Sequence, residues 1–193
     1  MKAAFAVVCV LSACSSPGSN IEAPPAWIVD GPGAWSFGTD ADGAATIVVD
    51  AHGGKEGAFN LLLSSAIHGP DVDITTRIHA EDGAIDQGGG LVWRAQDAHN
   101  YYLARWNPLE DNLRLYTVRD GARRLLVSLD TPLDRDAWHE MRAVMQGSAV
   151  MVAVDKRFVL SFVDTTFLRA GAIGLWSKAD ASTTFEAPIL RDR

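Results

Sequence analysis

From Ala45 onward the chain is cut into short apolar pieces, with a glycine or an Asp-Gly pair between them about every 8 to 15 residues. The pieces "ATIVVD", "AFNLLLS", "VDITTRIH", "GGLVWRA", "YYLARW", "LRLYTV", "RRLLVSL", "AVMVAVD", "FVLSFV" and "AIGLWS" are rich in β-branched and aromatic residues and mostly alternate. Alternation with period two gives a strand one apolar and one polar face, and turn signals at this spacing leave no room for long helices. The pattern therefore predicts an all-β sandwich of antiparallel sheets. "VRDGARRLL" and "AVDKRFVL" read as tight hairpins, the first turning on Asp120-Gly121. "TDADGAA" lacks the later ligands and closing glutamate of a calcium-binding EF-hand loop, so it reads as a turn.

One stretch departs from the pattern. In "RDAWHEMRAVMQG" the apolar residues Ala137, Trp138, Met141, Val144 and Met145 fit a helical stripe better than a strand. Gly147 and the strand-like "SAVMVAVD" follow at once, so a hairpin is the simpler topology, and the expectation over 134–146 is a strand.

The N-terminus bears on location. Lys2, the apolar "AAFAVVCVL" and "LSAC" follow the order of a bacterial lipoprotein signal, and the apolar run is too short to span a bilayer. The expected organisation is a signal over 1–13, a lipidated Cys14 with a Ser/Pro-rich tether over 14–25, and one domain over 26–193. Ser15 after the cysteine points to the outer membrane facing the periplasm. Only two cysteines are present, Cys9 in the signal and Cys14 at the lipid, so neither a disulfide framework nor a cysteine metal site is available. The chain carries a net charge of −7 and no basic run, which argues against nucleic acid and leaves the lipid as the expected link to a membrane. His52, His68, His79, His99 and His139 lack the i, i+4 spacing of a helical zinc site, no nucleotide-binding loop or nucleophile elbow occurs, and no metal or cofactor is expected. A monomer is expected.

The order "GGGLVWRAQDAHNYYLARWNPLEDNLRLYTVRDGARRLL", then "WHEMRAVMQGSAVMVAVD", then "DTTFLRAGAIGLWSKADASTTFE" resembles the concanavalin A-like lectin/glucanase superfamily, and within it the 3-keto-disaccharide hydrolase-like family of bacterial envelope proteins. The resemblance covers roughly residues 70 to 190. It implies a jelly roll of two curved sheets with saccharide lying across the concave one. The two glutamates flanking an aspartate, carried on one strand by laminarinase-type members, are absent, so the resemblance leaves two functions open. One is a glycoside hydrolase acting on a 3-keto sugar. The other is a non-catalytic glycan-binding or interaction module.

The hairpin "NYYLARWNPLEDNLRLY" carries the candidate site. A turn about "NPLEDN" sets Asn107 opposite Asn112, Arg105 opposite Arg114 and Leu103 opposite Tyr116, with the polar members on one face and Tyr102, Ala104, Trp106, Leu113 and Leu115 facing the core. Arg94 of the preceding strand joins the polar face if the register holds, and Trp176 lies nearby. Two opposed arginines repel unless an acid or a ligand separates them, and Glu110, Asp111 and Asp180 are the candidate acids, for neutralisation and for catalysis alike. Two readings stand. The face is a solvated, salt-bridged surface, or it is a saccharide platform with Arg105, Asn107, Asn112 and Arg114 reaching the ligand and Tyr116 or Trp176 offering a plane for a sugar ring. On the second reading Arg105 serves binding and contributes little to folding.

Overall fold

A computed structural model describes residues 6–8 and 26–191. The expected signal and tether, Cys14 included, otherwise lie outside the described residues. No helix occurs among them. The strands are β1 (Ala6–Val8), β2 (Trp27–Asp30), β3 (Ala34–Thr39), β4 (Ala45–Asp50), β5 (Phe59–Ser64), β6 (Val72–Asp82), β7 (Gly89–Asp97) and β8 (Asn100–Asn107), followed by β9 (Asn112–Arg119), β10 (Ala122–Asp130), β11 (His139–Gln146), β12 (Ala149–Val154), β13 (Phe158–Val163), β14 (Ala172–Lys178), β15 (Ser182–Glu186) and β16 (Ile189–Leu190). They form two antiparallel sheets. The first runs β1-β2-β5-β14-β7-β8-β9-β10, and the second β13-β12-β11-β6-β15-β4-β3 with β16 beside β6. This is the antiparallel sandwich that the alternation and the turn spacing predict, in the jelly-roll form that the resemblance implies.

Between the sheets lies a core in which Leu62, Leu91, Trp93, Tyr102, Ala104, Trp106, Leu113 and Leu115 meet Ile47, Ile74, Ile78, Met141, Met145, Val152 and Phe185. Trp106 is fully buried, its ring set edge-on to His139 with centroids 4.8 Å apart. The hairpins turn where expected. Asp120 (φ 51°) and Gly121 (φ 77°), then Asp155 (φ 52°) and Lys156 (φ 55°), take the positive φ at both central residues that matches the twist of paired strands. In "TDADGAA" the Asp40 carboxylate accepts from the backbone N–H groups of Asp42 and Ala44, closing a turn.

The 134–146 stretch resolves as β11 from His139 onward, paired on one side with β6 and on the other with β12. Met141, Ala143 and Met145 alternate into the core. Two flanking strands and a shared core offset a weak helical periodicity, because each residue placed in the sheet gains ladder bonds and burial together.

The first sheet buries apolar residues on its outer face too: Leu61, Leu63, Val92, Tyr101, Leu103, Tyr116, Val118 and Trp176. Curvature explains this. The Arg123 guanidinium of β10 stands over the Tyr116 ring of the neighbouring strand at 4.4 Å, and also 5.7 Å from the Trp176 ring of β14 and 5.6 Å from the Phe59 ring of β5. In a flat sheet, strands four and five places apart would stand about 19 and 24 Å away. One side chain spans that interval only because the sheet curls, and its outer face is the concave one.

Candidate functional site

The β8–β9 hairpin has the register read from the sequence: Leu103 opposite Tyr116, Arg105 opposite Arg114, Asn107 opposite Asn112. Continuing the rows across the sheet, Arg105 stands opposite Gly90 and Gly90 opposite Trp176. A Cβ at Gly90 would lie 1.7 Å from the Ala104 carbonyl oxygen, so the floor between Trp176 and Arg105 has no side chain of its own.

Charge is organised around Asp86, which precedes β7 and is 2% exposed. Its Oδ1 accepts from Arg105 Nη2 at 3.1 Å and from Asn107 Nδ2 at 2.9 Å, and its Oδ2 from Lys178 Nζ at 3.0 Å. The opposed arginines are bridged by Glu110, whose Oε1 lies 3.4 Å from Arg105 Nη2 and whose Oε2 lies 2.7 Å from Arg114 Nη1. Asn112 Nδ2 donates to the same Oε2 at 2.9 Å. Burial alone raises Glu110, but the Asn112 bond and the Arg105 and Arg114 charges together outweigh it and hold the carboxyl below its ordinary value.

Asp180 plays a different part from the one expected. Its carboxylate accepts from the backbone N–H groups of Ala84, Ile85 and Asp86 at 2.9 to 3.1 Å, fixing the loop that presents Asp86. Burial raises it, and these backbone bonds together outweigh that and hold it low. Asp111 neutralises neither arginine. It occupies the hairpin turn at φ 49°, and its carbonyl accepts from the Thr131 N–H.

Arg94 lies elsewhere. The β7–β8 register shifts between Trp93 and Asp97, and Arg94 takes φ 47°. The bulge turns the side chain away from its row. It donates instead to the carbonyls of Pro70, Phe167 and Gly147, and burial lowers its pKa. Nor do Tyr116 and Trp176 offer an open plane: they are 4% and 0% exposed, and Arg123 covers both rings.

Arg105 is 1% exposed and held in a buried ion pair, so it contributes to the folded state as well as to the face, contrary to the expectation that it serves binding alone. It keeps unused capacity, since its Nε and Nη1 have no hydrogen-bond partner, and neither have Arg123 Nη1 and Asn112 Oδ1. Buried polar atoms are normally paired, so these atoms call for ordered water or a ligand to satisfy them.

Asp86, Lys178 and Arg123 are the residues that the sequence reading missed. Lys178 was within reach, because it follows Trp176 by two on the same face. Arg123 follows from the Asp120-Gly121 turn, which pairs it with Val118. Asp86 sits in the loop "GAIDQGGG", where no period exists to place it.

No family model matches the chain. It is 26% identical over 151 residues to a levanase of Bacillus subtilis (strain 168), a match covering 77% of this chain and 22% of that protein, so the chain spans about a fifth of the relative's length. Among solved structures it is similar to a carbohydrate binding module, CBM66, from Bacillus subtilis, with TM-score 0.71, 23% identity, and coverage of 85% of this chain and 95% of that one. A Bacillus subtilis protein of unknown function with a galectin-like fold gives TM-score 0.61 at 13% identity, covering 86% of this chain and 88% of that one. The Bacillus licheniformis β-glucanase gives 0.57 at 7%, covering 86% and 92%. These likenesses show the fold alone: the chain is a two-sheet antiparallel jelly roll.

Proposed function

We propose that the domain is a non-catalytic carbohydrate-binding module that takes a saccharide on the concave face of the first sheet, at Arg105, Asn112, Arg114 and Lys178. The similarity to a carbohydrate binding module supports the class, and the unpaired polar atoms of Arg105, Asn112 and Arg123 support the place. One observation favours the module over the hydrolase. A general acid must hold a proton at working pH, which needs a raised carboxyl. Two of the three candidate acids, Glu110 and Asp180, are held the other way, below their ordinary values, and the third, Asp111, occupies the hairpin turn with no ion pair to either arginine among the described residues.

Calorimetric titration with a panel that includes levan oligosaccharides tests this. Binding that Asn112→Ala weakens by about tenfold, the scale of one well-placed hydrogen bond, supports it, and failure of every glycan to bind refutes it. Release of free sugar from 3-keto-disaccharides would instead establish the hydrolase that the family resemblance implies.

The module is further proposed to be held at the envelope by a lipid on Cys14, on the strength of the N-terminal pattern alone. Cys14→Ala is expected to move the protein out of the membrane fraction or to stall its processing. Unchanged fractionation would defeat the anchor without touching the binding proposal.

A further inference from the structure

Four cations, Arg105, Arg114, Arg123 and Lys178, share the concave face with two carboxylates, Asp86 and Glu110. The exposed Asp111 and Asp130 make no ion pair with them among the described residues. In a chain with a net charge of −7, a concave face with surplus positive charge is a local exception. Asp86 already accepts from three donors, and Glu110 is shared between two arginines. Arg123 has no carboxylate partner among the described residues, and rests on the rings of Tyr116, Trp176 and Phe59. Loss of hydration disfavours its charge, and the Arg105 charge adds to this, while Tyr116, Asp86 and Glu110 offset part of it from beyond ion-pair distance.

The unused hydrogen-bonding atoms lean the same way. Arg105 Nε, Arg105 Nη1 and Arg123 Nη1 are buried cationic donors without acceptors, whereas the other unpaired buried atoms on or beside this face, Asn112 Oδ1, Gln87 Oε1, the Tyr101 hydroxyl and Trp176 Nε1, are all neutral. A neutral sugar would meet donors and acceptors about equally, since each hydroxyl is both. A surplus of desolvated cationic donors suits a group that only accepts and is negatively charged.

We infer that the saccharide taken by this face carries an anionic substituent, a carboxylate or a sulfate, set between Arg105 and Arg123. This rests on the carbohydrate-binding proposal and specifies its ligand class. The anion supplies the acceptor that Arg123 lacks, and the neutral part of the ring meets Asn112 and Lys178. Bidentate capture by Arg105 is not required, because its Nη2 is already committed to Asp86.

The test compares charge at constant shape. The full chain is titrated with a uronate trisaccharide, with the methyl ester of that trisaccharide, with a sulfated galactan oligosaccharide, with the same compound desulfated, and with levan oligosaccharides. The free acid or the sulfated sugar is expected to bind at least about tenfold more tightly than its neutral counterpart, as for one hydrogen bond involving a charged group. The preference should shrink as ionic strength rises. Whichever anionic sugar prevails identifies the substituent. Arg123→Gln should remove the preference and Arg123→Lys should retain most of it, with unchanged circular dichroism showing that both variants fold. Equal binding of the charged and neutral forms, or tighter binding of levan, overturns the inference while leaving a carbohydrate-binding module. Absence of binding to all five overturns both.

Discussion

Replacing Asp86 by alanine should bring the domain close to unfolding, although the residue lies in a loop and touches no apolar core. The carboxylate is 2% exposed and accepts from Arg105, Asn107 and Lys178. Without it Lys178 can swing outward, since its side chain already reaches solvent at 17% exposure. Arg105 has no such escape: at 1% exposure it is left with Glu110 alone, 3.4 Å away. Removing one partner of a buried pair costs about 3–5 kcal/mol, against a total stability of about 5–15 kcal/mol for a domain. With a urea slope of about 2 kcal/mol/M, the unfolding midpoint should fall by about 1.5–2.5 M. Tryptophan fluorescence against urea reads this directly, with Trp106 and Trp176 as buried reporters. Asp86→Asn keeps an acceptor for Asn107 and should lose less, about 1.5–3 kcal/mol. A midpoint shift below about 0.5 M for Asp86→Ala would mean that water reaches Arg105 freely, and the buried network would not exist.

Three further outcomes follow from other parts of the molecule. Trp106→Ala should lose about 3–5 kcal/mol in a urea titration and leave the ligand affinity of the residual folded protein unchanged, because the ring points between the sheets; a selective loss of affinity would place it on the wrong face. Tyr102, pushed up to about 12 by burial and by its bond to Asp164, contributes stability that is whole below its ordinary value near 10 and fades as pH rises toward the folded value; Tyr102→Phe should flatten this alkaline loss in a thermal-melt series, and an unaltered profile would dismiss the bond. Glu110, Asp164 and Asp180 are all held below their ordinary values, burial being outweighed by hydrogen bonds in each case, joined at Glu110 and Asp164 by neighbouring arginines. Their contribution is complete above about pH 4–4.5 and is lost as pH falls through the lower folded values, so melting temperatures should drop on acidification below about pH 4.5, and a flat acid limb would contradict these assignments.

The β8–β9 hairpin was legible because two signals agreed: strict alternation fixed the faces and the "NPLEDN" turn fixed the register, so each cross-strand pair followed by counting. The hairpins at Asp120-Gly121 and Asp155-Lys156 were legible for the same reason. Arg94 was not, because counting fails at a bulge, and nothing in "VWRAQD" announces the positive φ that turns this arginine toward the carbonyls of Pro70, Gly147 and Phe167. Asp86 escaped because a loop has no period, and its position is set by Asp180, 94 residues later in the chain. The buried state of Trp176 and Tyr116 depends on sheet curvature, which brings Arg123 back over strands that alternation alone would leave far away. Local pattern thus reports which face a residue takes, while the enclosure of that face is a property of the whole sheet.

That enclosure bears on why the network exists. A buried ion cluster is poor value as a stabilising device, since well-packed apolar residues of similar volume often do as well or better. The opposite face of the same sheet shows that this chain can do so: Tyr102, Ala104, Trp106, Leu113 and Leu115 form an apolar layer with no charge in it. On the concave face the alternate residues of β8 bring Arg105 and Asn107 to Asp86, where Lys178 of β14 joins them, with cationic donors left over. If stability were the reason, replacing the central pair by apolar residues should be harmless in every respect. We expect otherwise from Asp86→Leu combined with Arg105→Met: a urea midpoint near that of the parent, because the two most deeply buried charges leave together, Glu110 keeps Arg114 and Lys178 can turn out to solvent, together with loss of saccharide binding. A double variant that is stable and still binds would show the pair to be an incidental feature of the floor. One that is unstable would show that the network holds the curve of the sheet, and stability with loss of binding would identify it as the part of the fold retained for the ligand.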